Sequence, residues 1–197
     1  MGKIICLIGK SSSGKDTIFN ELKRDKDLNL KPIIPYTTRP KRSNEINGVQ
    51  YEFINQESLE TYDQAGLIIE KRAYNTVNGL WVYCTIDDGQ IQLEHENYII
   101  IGTLEGYKHL AGYFGTPNVV PIYINLEDEI RLERAIHREK QQLKPNYQEL
   151  CRRFLADSVD FGDDKLTHYG ITNSYDNKDL TECLTKIKRD LQTLLKL

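Results

Sequence analysis

Short apolar runs alternate with longer amphipathic stretches along most of this chain. Ile4-Ile5-Cys6-Leu7-Ile8 is unbroken by polar residues, the pattern of a buried strand. A helical pattern follows over Lys15 to Arg24, and Pro32-Ile33-Ile34-Pro35 reads as extended because the residue before a proline avoids helical backbone. Val49, Tyr51 and Phe53 alternate with polar residues and predict a half-exposed strand. Gln56 to Gln64 predicts a helix. Leu67 to Tyr74 and Gly79 to Cys84 predict two strands around the turn Asn75-Thr76-Val77-Asn78. Residues 36–86 therefore read as a β-rich insertion.

Strand and helix then alternate again: Tyr98–Ile101, Leu104–Phe114, Val119–Ile124 and Glu127–Glu139. That order predicts an α/β fold with a parallel, doubly wound sheet. A further helix begins near Tyr147 and is broken over Asp160–Lys165, and Tyr169–Thr172 is expected as a last short strand. Leu180, Leu184, Ile187, Leu191 and Leu195 recur every three or four residues, the stripe of a helix packed on a core. The expectation is one domain over 1–197, its core built from 1–35 and 87–197.

Composition narrows the function classes. The 26 basic and 29 acidic residues leave a net charge of −3, so no overall field points to nucleic acid or an anionic membrane. No segment has the roughly 20 apolar residues of a membrane span, and no secretory leader is legible. Cys6, Cys84, Cys151 and Cys183 show no metal or redox spacing and read as reduced thiols, which points to the cytoplasm. The four histidines share no metal-ligand spacing.

Positive charge must act locally, and Gly9-Lys10-Ser11-Ser12-Ser13-Gly14-Lys15-Asp16-Thr17 is placed to use it. Gly9 and Gly14-Lys15 satisfy G-x-x-x-x-G-K between a strand and a helix, the context of a P-loop. Backbone N–H groups of such a loop and the positive end of the following helix receive phosphate oxygens, with Lys15 as the point charge. Asp16 stands where the Mg²⁺-binding Ser or Thr usually sits. Asp16, through a metal-bound water, and the neighbouring Thr17 are the candidate metal contacts.

A second cluster lies at Thr37-Thr38-Arg39-Pro40-Lys41-Arg42, where two guanidinium forks can meet one phosphate and the Tyr51 hydroxyl can add a directional bond. A third, Arg131, Arg134 and Arg138, shares one face of a helix, with Arg152 and Arg153 further on. Like charges at i, i+4 cost about 0.2–0.5 kcal/mol in an isolated helix, which a bound anion would relieve.

From Thr37 to Phe53 the chain resembles the guanylate kinase family, whose acceptor site carries T-T-R-x-x-R-x-x-E-x-x-G-x-x-Y-x-F after a P-loop. Every fixed position is present. The resemblance implies ATP and Mg²⁺ as cofactors and a nucleoside monophosphate, GMP or dGMP in first place, as acceptor. It implies that Arg39, Arg42, Glu45 and Tyr51 belong to the acceptor-phosphate site, that 36–86 is the acceptor-binding subdomain, and that about 131–153 is a lid. Glu70 resembles the glutamate that reads guanine, and Tyr83 and Thr85 match the family's following Y-G-T segment. Arg134, Arg138 and Arg153 would stabilise the transferred phosphoryl group, with Asn173 near adenine. Two departures bear on the base: Pro35 replaces a serine, and Ile101-Gly102-Thr103-Leu104-Glu105-Gly106 replaces D-x-D-x-Q-G. The alternatives are a kinase for another monophosphate or small phosphorylated metabolite, and a non-catalytic module that binds a protein ligand. Monomer and homodimer are not distinguished.

Overall fold

The computed structural model describes residues 1–42, 45–76 and 79–195. Five strands form a parallel sheet in the order β2-β7-β1-β8-β9: β1 Ile4–Ile8, β2 Leu30–Pro32, β7 Asn97–Ile101, β8 Val119–Asn125 and β9 Ser174–Asp176. Successive side chains of a strand point to opposite faces, and β1 divides accordingly. Ile4, Cys6 and Ile8 pack under α3 (Leu104–Phe114) with Leu104, Tyr107 and Leu110. Ile5 and Leu7 pack against α1 (Lys15–Arg24) and α7 (Leu180–Leu195) through Ile18, Leu22, Ile187 and Leu191. Both faces are covered, which is why β1 has no polar residue.

A second sheet, in the order β4-β3-β6-β5, is built from β3 Tyr36–Thr37, β4 Glu52–Phe53, β5 Ile68–Thr76 and β6 Gly79–Ile86. Tyr36, Val82, Cys84 and Ile86 form its small core with Leu59 of α2 (Gln56–Gln64). The threonine pair before Arg39 stitches this sheet: Thr37 Oγ1 donates to Val82 O at 2.8 Å, and Val82 N–H donates to Thr38 Oγ1 at 2.9 Å. Val77 and Asn78 of the expected turn lie outside the described residues.

Two expected strands differ. The alternation at Val49, Tyr51 and Phe53 yields only β4, because Gly48 takes φ +76° and the chain turns, leaving Val49 exposed. Tyr169–Thr172 is not a strand. Helix α6 (Asp163–His168) follows α5 (Tyr147–Asp160), and Gly170 at φ +70° closes α6, with Ile171 N–H donating to Leu166 O at 2.9 Å. Ile171 is apolar because it caps that helix end against the core; the strand starts later, at Ser174. Helix α4 spans Asp128–Lys140.

No helix among the described residues is long and apolar enough to cross a membrane. Burial pushes the Cys6 and Cys84 thiols up to about 12, which makes them inert packing groups.

Candidate functional site

The loop between β1 and α1 leaves the carboxyl end of the central strand, where open α/β sheets bind their ligands. Gly14, at φ +95°, begins α1 without a side-chain cap. A Cβ there would stand 2.2 Å from Asn177 Nδ2, so both conformation and space require glycine. Ser12 takes the left-handed region at φ +62°. The hydroxyls of Ser12 and Ser13 are buried without a hydrogen-bond partner. Uncapped helix N–H groups and unpaired buried hydroxyls together make a cradle suited to phosphate oxygens.

Lys15 lies beneath this cradle, its Nζ donating to Gly9 O at 2.7 Å and Lys10 O at 2.8 Å. Burial lowers its pKa to about 8, opposed by the charges of Asp16 and Asp157 and reinforced by Arg131 and Arg138. A bound polyphosphate raises it again. Nucleotide binding at pH 8 should therefore take up roughly half a proton, and affinity should fall as pH rises through 8, because the free lysine is then neutral. Titration calorimetry at pH 8 in buffers of different ionisation enthalpy measures this; a zero proton count would separate Lys15 from the phosphates.

Behind the loop, Asp157 of α5 accepts from Ser11 N–H at 2.8 Å and from Ser11 Oγ at 3.3 Å. Arg131 ties the same carboxylate to α4: its Nη1 donates to Asp157 at 3.1 Å and to Ser11 O at 3.2 Å, and its Nε to Asp128 at 3.1 Å. Its guanidinium lies 4.6 Å from the Phe154 ring centre, and the side chain is fully buried. Arg131 is thus separated from its helix neighbours. Arg134 and Arg138 are exposed, and Arg134 Nη2 donates to Asn177 O at 3.2 Å. Arg153 stands 3.6 Å from Glu149, too far for a good hydrogen bond, with its Nε unpartnered.

Asn177, which the sequence pattern does not single out, joins these parts. Its Nδ2 donates to Ser13 O at 2.7 Å and its N–H to Asn125 O at 2.9 Å, while its Oδ1 is buried without a partner. Its position just past β9 is the one signal that could have found it, and that strand was expected elsewhere. Asn173 instead lines a cavity of about 410 Å³ with Lys10, Tyr123 and Phe161, beside the loop. Asp16 and Thr17 are both exposed in the first turn of α1. Among the described residues no three His, Cys, Asp or Glu side chains gather around a metal position. Mg²⁺ itself keeps waters and substrate phosphates in its shell and needs few protein oxygens.

On the second sheet Arg39 is buried and nearly saturated. Its Nη1 and Nη2 donate to Glu45 at 3.0 and 2.7 Å, Nη1 also to Pro40 O at 2.8 Å, and Nε to Tyr83 at 3.2 Å. It lies over the Tyr51 and Phe53 rings at 5.6 and 5.4 Å. Glu45 also accepts from Arg42 N–H at 2.8 Å, so it brackets both arginines; the Arg39 guanidinium holds its carboxyl below the usual range. The Arg42 residue is exposed. Burial raises the Tyr51 pKa.

Glu70 is buried, accepting from Thr85 Oγ1 at 3.0 Å. Thr103 caps α3, its Oγ1 accepting from Gly106 N–H at 3.1 Å. Arg72, unremarked in the sequence, also contacts Glu70 and lines a cavity of about 440 Å³ with Tyr74, Thr103, Leu104, Phe161 and Tyr169.

The sequence profile of the family described as guanylate kinase matches residues 1–193. The guanylate kinase of Mycoplasmoides gallisepticum is 38% identical over 157 residues, 70% of this chain and 80% of its own length. That of Malacoplasma penetrans is 41% identical over 69 residues, which is 35% of each chain, so the alignable stretch spans about a third of that relative. The crystal structure of guanylate kinase from Anaplasma phagocytophilum superposes with a TM-score of 0.64 at 22% identity, over 98% of this chain and 85% of that one. This last match shows the fold.

Proposed function

The chain belongs to the guanylate kinase family, and on that premise we propose that it transfers the γ-phosphoryl group of ATP to GMP or dGMP. One observation carries the reading: the chain holds two separate clusters suited to phosphate, the loop at Lys15 and the Arg39–Glu45–Arg42 bracket of the β-rich insertion. A kinase needs two such sites, one for the donor and one for the acceptor.

In this reading Gly9, Ser12, Ser13, Gly14, Lys15 and Thr17 hold the ATP phosphates, Ser11 is held on Asp157 beside them, and the cavity containing Asn173 receives the adenosine end. Arg39, Arg42 and Tyr51 hold the acceptor phosphate, while Glu70, Tyr83 and Thr85 form the base side. A phosphate monoester oxygen is already ionised near neutral pH, so no general base is required. Rate enhancement comes from alignment and charge neutralisation by Lys15, Arg134, Arg138 and Arg153. Mg²⁺, when bound beside Asp16 and Thr17, adds neutralising charge on the donor phosphates. Residues 131–153 act as a lid that excludes water, the competing acceptor.

Turnover of ATP with GMP, dGMP, AMP, CMP and UMP is the test. GMP and dGMP should lead the panel. Preference for a different monophosphate would replace the acceptor, and no ATP turnover with any of them would leave a kinase for a small phosphorylated metabolite or a non-catalytic module.

A further inference from the structure

Glu70 is more heavily committed than a free base-reading carboxylate would be. Arg72, two residues on along β5, meets it edge to edge: Nε donates to Oε2 at 2.9 Å and Nη2 to Oε1 at 3.2 Å. Thr85 Oγ1 adds its bond to Oε1, and Gly106 at the start of α3 closes the other side, since a Cβ there would lie 3.7 Å from Oε2. Glu70 is 4% exposed and Arg72 23% exposed, and of the two Arg72 lines the neighbouring cavity.

We propose that Arg72 is a specificity-determining residue of the acceptor site, holding by a two-point fork the same carboxylate edge that guanine must take. This rests on Glu70 being the base reader. Guanine offers N1–H and its exocyclic amino group side by side, a planar pair of donors spaced like the Nε–Nη2 edge of a guanidinium. The fork and the base are alternatives on that edge. Guanine binding therefore displaces Arg72 into the cavity, and the cost falls on guanine alone, because adenine has no paired donors to compete with. Arg72 so narrows the gap between guanine and other bases.

The test compares wild type with Arg72→Met, which keeps bulk and removes the donors, and Arg72→Gln, which keeps a polar partner for Glu70 should the first variant fold poorly. KM is measured for GMP and AMP at saturating ATP, with melting curves to confirm folding. In the variants the GMP KM should fall about tenfold, the scale of freeing a charge-assisted hydrogen-bonded carboxylate, and the GMP-to-AMP ratio of KM should fall with it. Loss of a positive charge near the acceptor phosphate would move both nucleotides alike and leave the ratio unchanged. An unchanged or raised ratio, with GMP still a substrate, overturns the role of Arg72 alone. Failure of wild type and variants alike to use GMP overturns the acceptor reading beneath it.

Discussion

Lys15→Ala should lower turnover by about two to three orders of magnitude while leaving the fold intact. The expectation follows from geometry. Lys15 is half-buried at the loop, donates to Gly9 O and Lys10 O, and has its pKa lowered to about 8 because its charge is poorly solvated there. A preorganised cation in such a place loses little by reorienting toward a phosphoryl group whose charge is shifting, which is the situation where one donor is worth about 2.7–4 kcal/mol. Removing a partly desolvated cation relieves a folding cost, so the melting temperature should hold or rise. Steady-state turnover and a melting curve on one preparation check both halves. Near-normal turnover in the folded variant would take Lys15 out of the chemistry.

Arg131→Ala should act in the opposite sense, on stability first. The side chain is fully buried and joins Asp128, Asp157 and Ser11 O while stacking on Phe154. Its removal leaves the Asp157 carboxylate, 14% exposed, without its cation. Breaking a buried pair from one side costs about 3–5 kcal/mol, or about 6–20 °C in melting temperature for a chain of this size. Arg134→Ala is the control: it is exposed and makes one bond, to Asn177 O, so its stability change should stay under about 1 kcal/mol while turnover drops. Equal melting losses in the two variants would mean that Arg131 is not the clamp. The clamp also explains a functional dependence: Asp157 holds Ser11 N–H and Oγ, so loosening α4 from α5 reaches the phosphate loop directly.

These two residues mark where sequence reasoning succeeds and where it stops. Lys15 is legible because strand, glycine loop, lysine and helix are contiguous, and the motif that names it lies within nine residues, Gly9 to Thr17. Arg131 is not, because spacing of three and four puts it on one helical face with Arg134 and Arg138, and only packing tells which of the three is buried. The same limit hid Asn177. Its role depends on β9 lying beside β8, and the residues before it, Ser174-Tyr175-Asp176, lack the apolar run that announces a strand. Tyr169–Thr172 carried a stronger pattern for a different reason, the sealing of a helix end.

The sequence by itself determined the strand-helix order as far as α4, the burial of β1, the position of the phosphate loop and the full acceptor motif from Thr37 to Phe53. Each is encoded in neighbouring residues, by side-chain period or by the backbone needs of glycine and proline. Tertiary structure alone decided which charges are partners: Arg131 with Asp157, Arg39 with Glu45 as its bracket, and Arg72 on the carboxylate of Glu70. Even Arg39 and Glu45, six positions apart, are shown as partners only by their 2.7 Å contact in the folded chain. Charge pairing depends on distances of a few ångströms and on burial, and neither can be read before the chain has closed on itself.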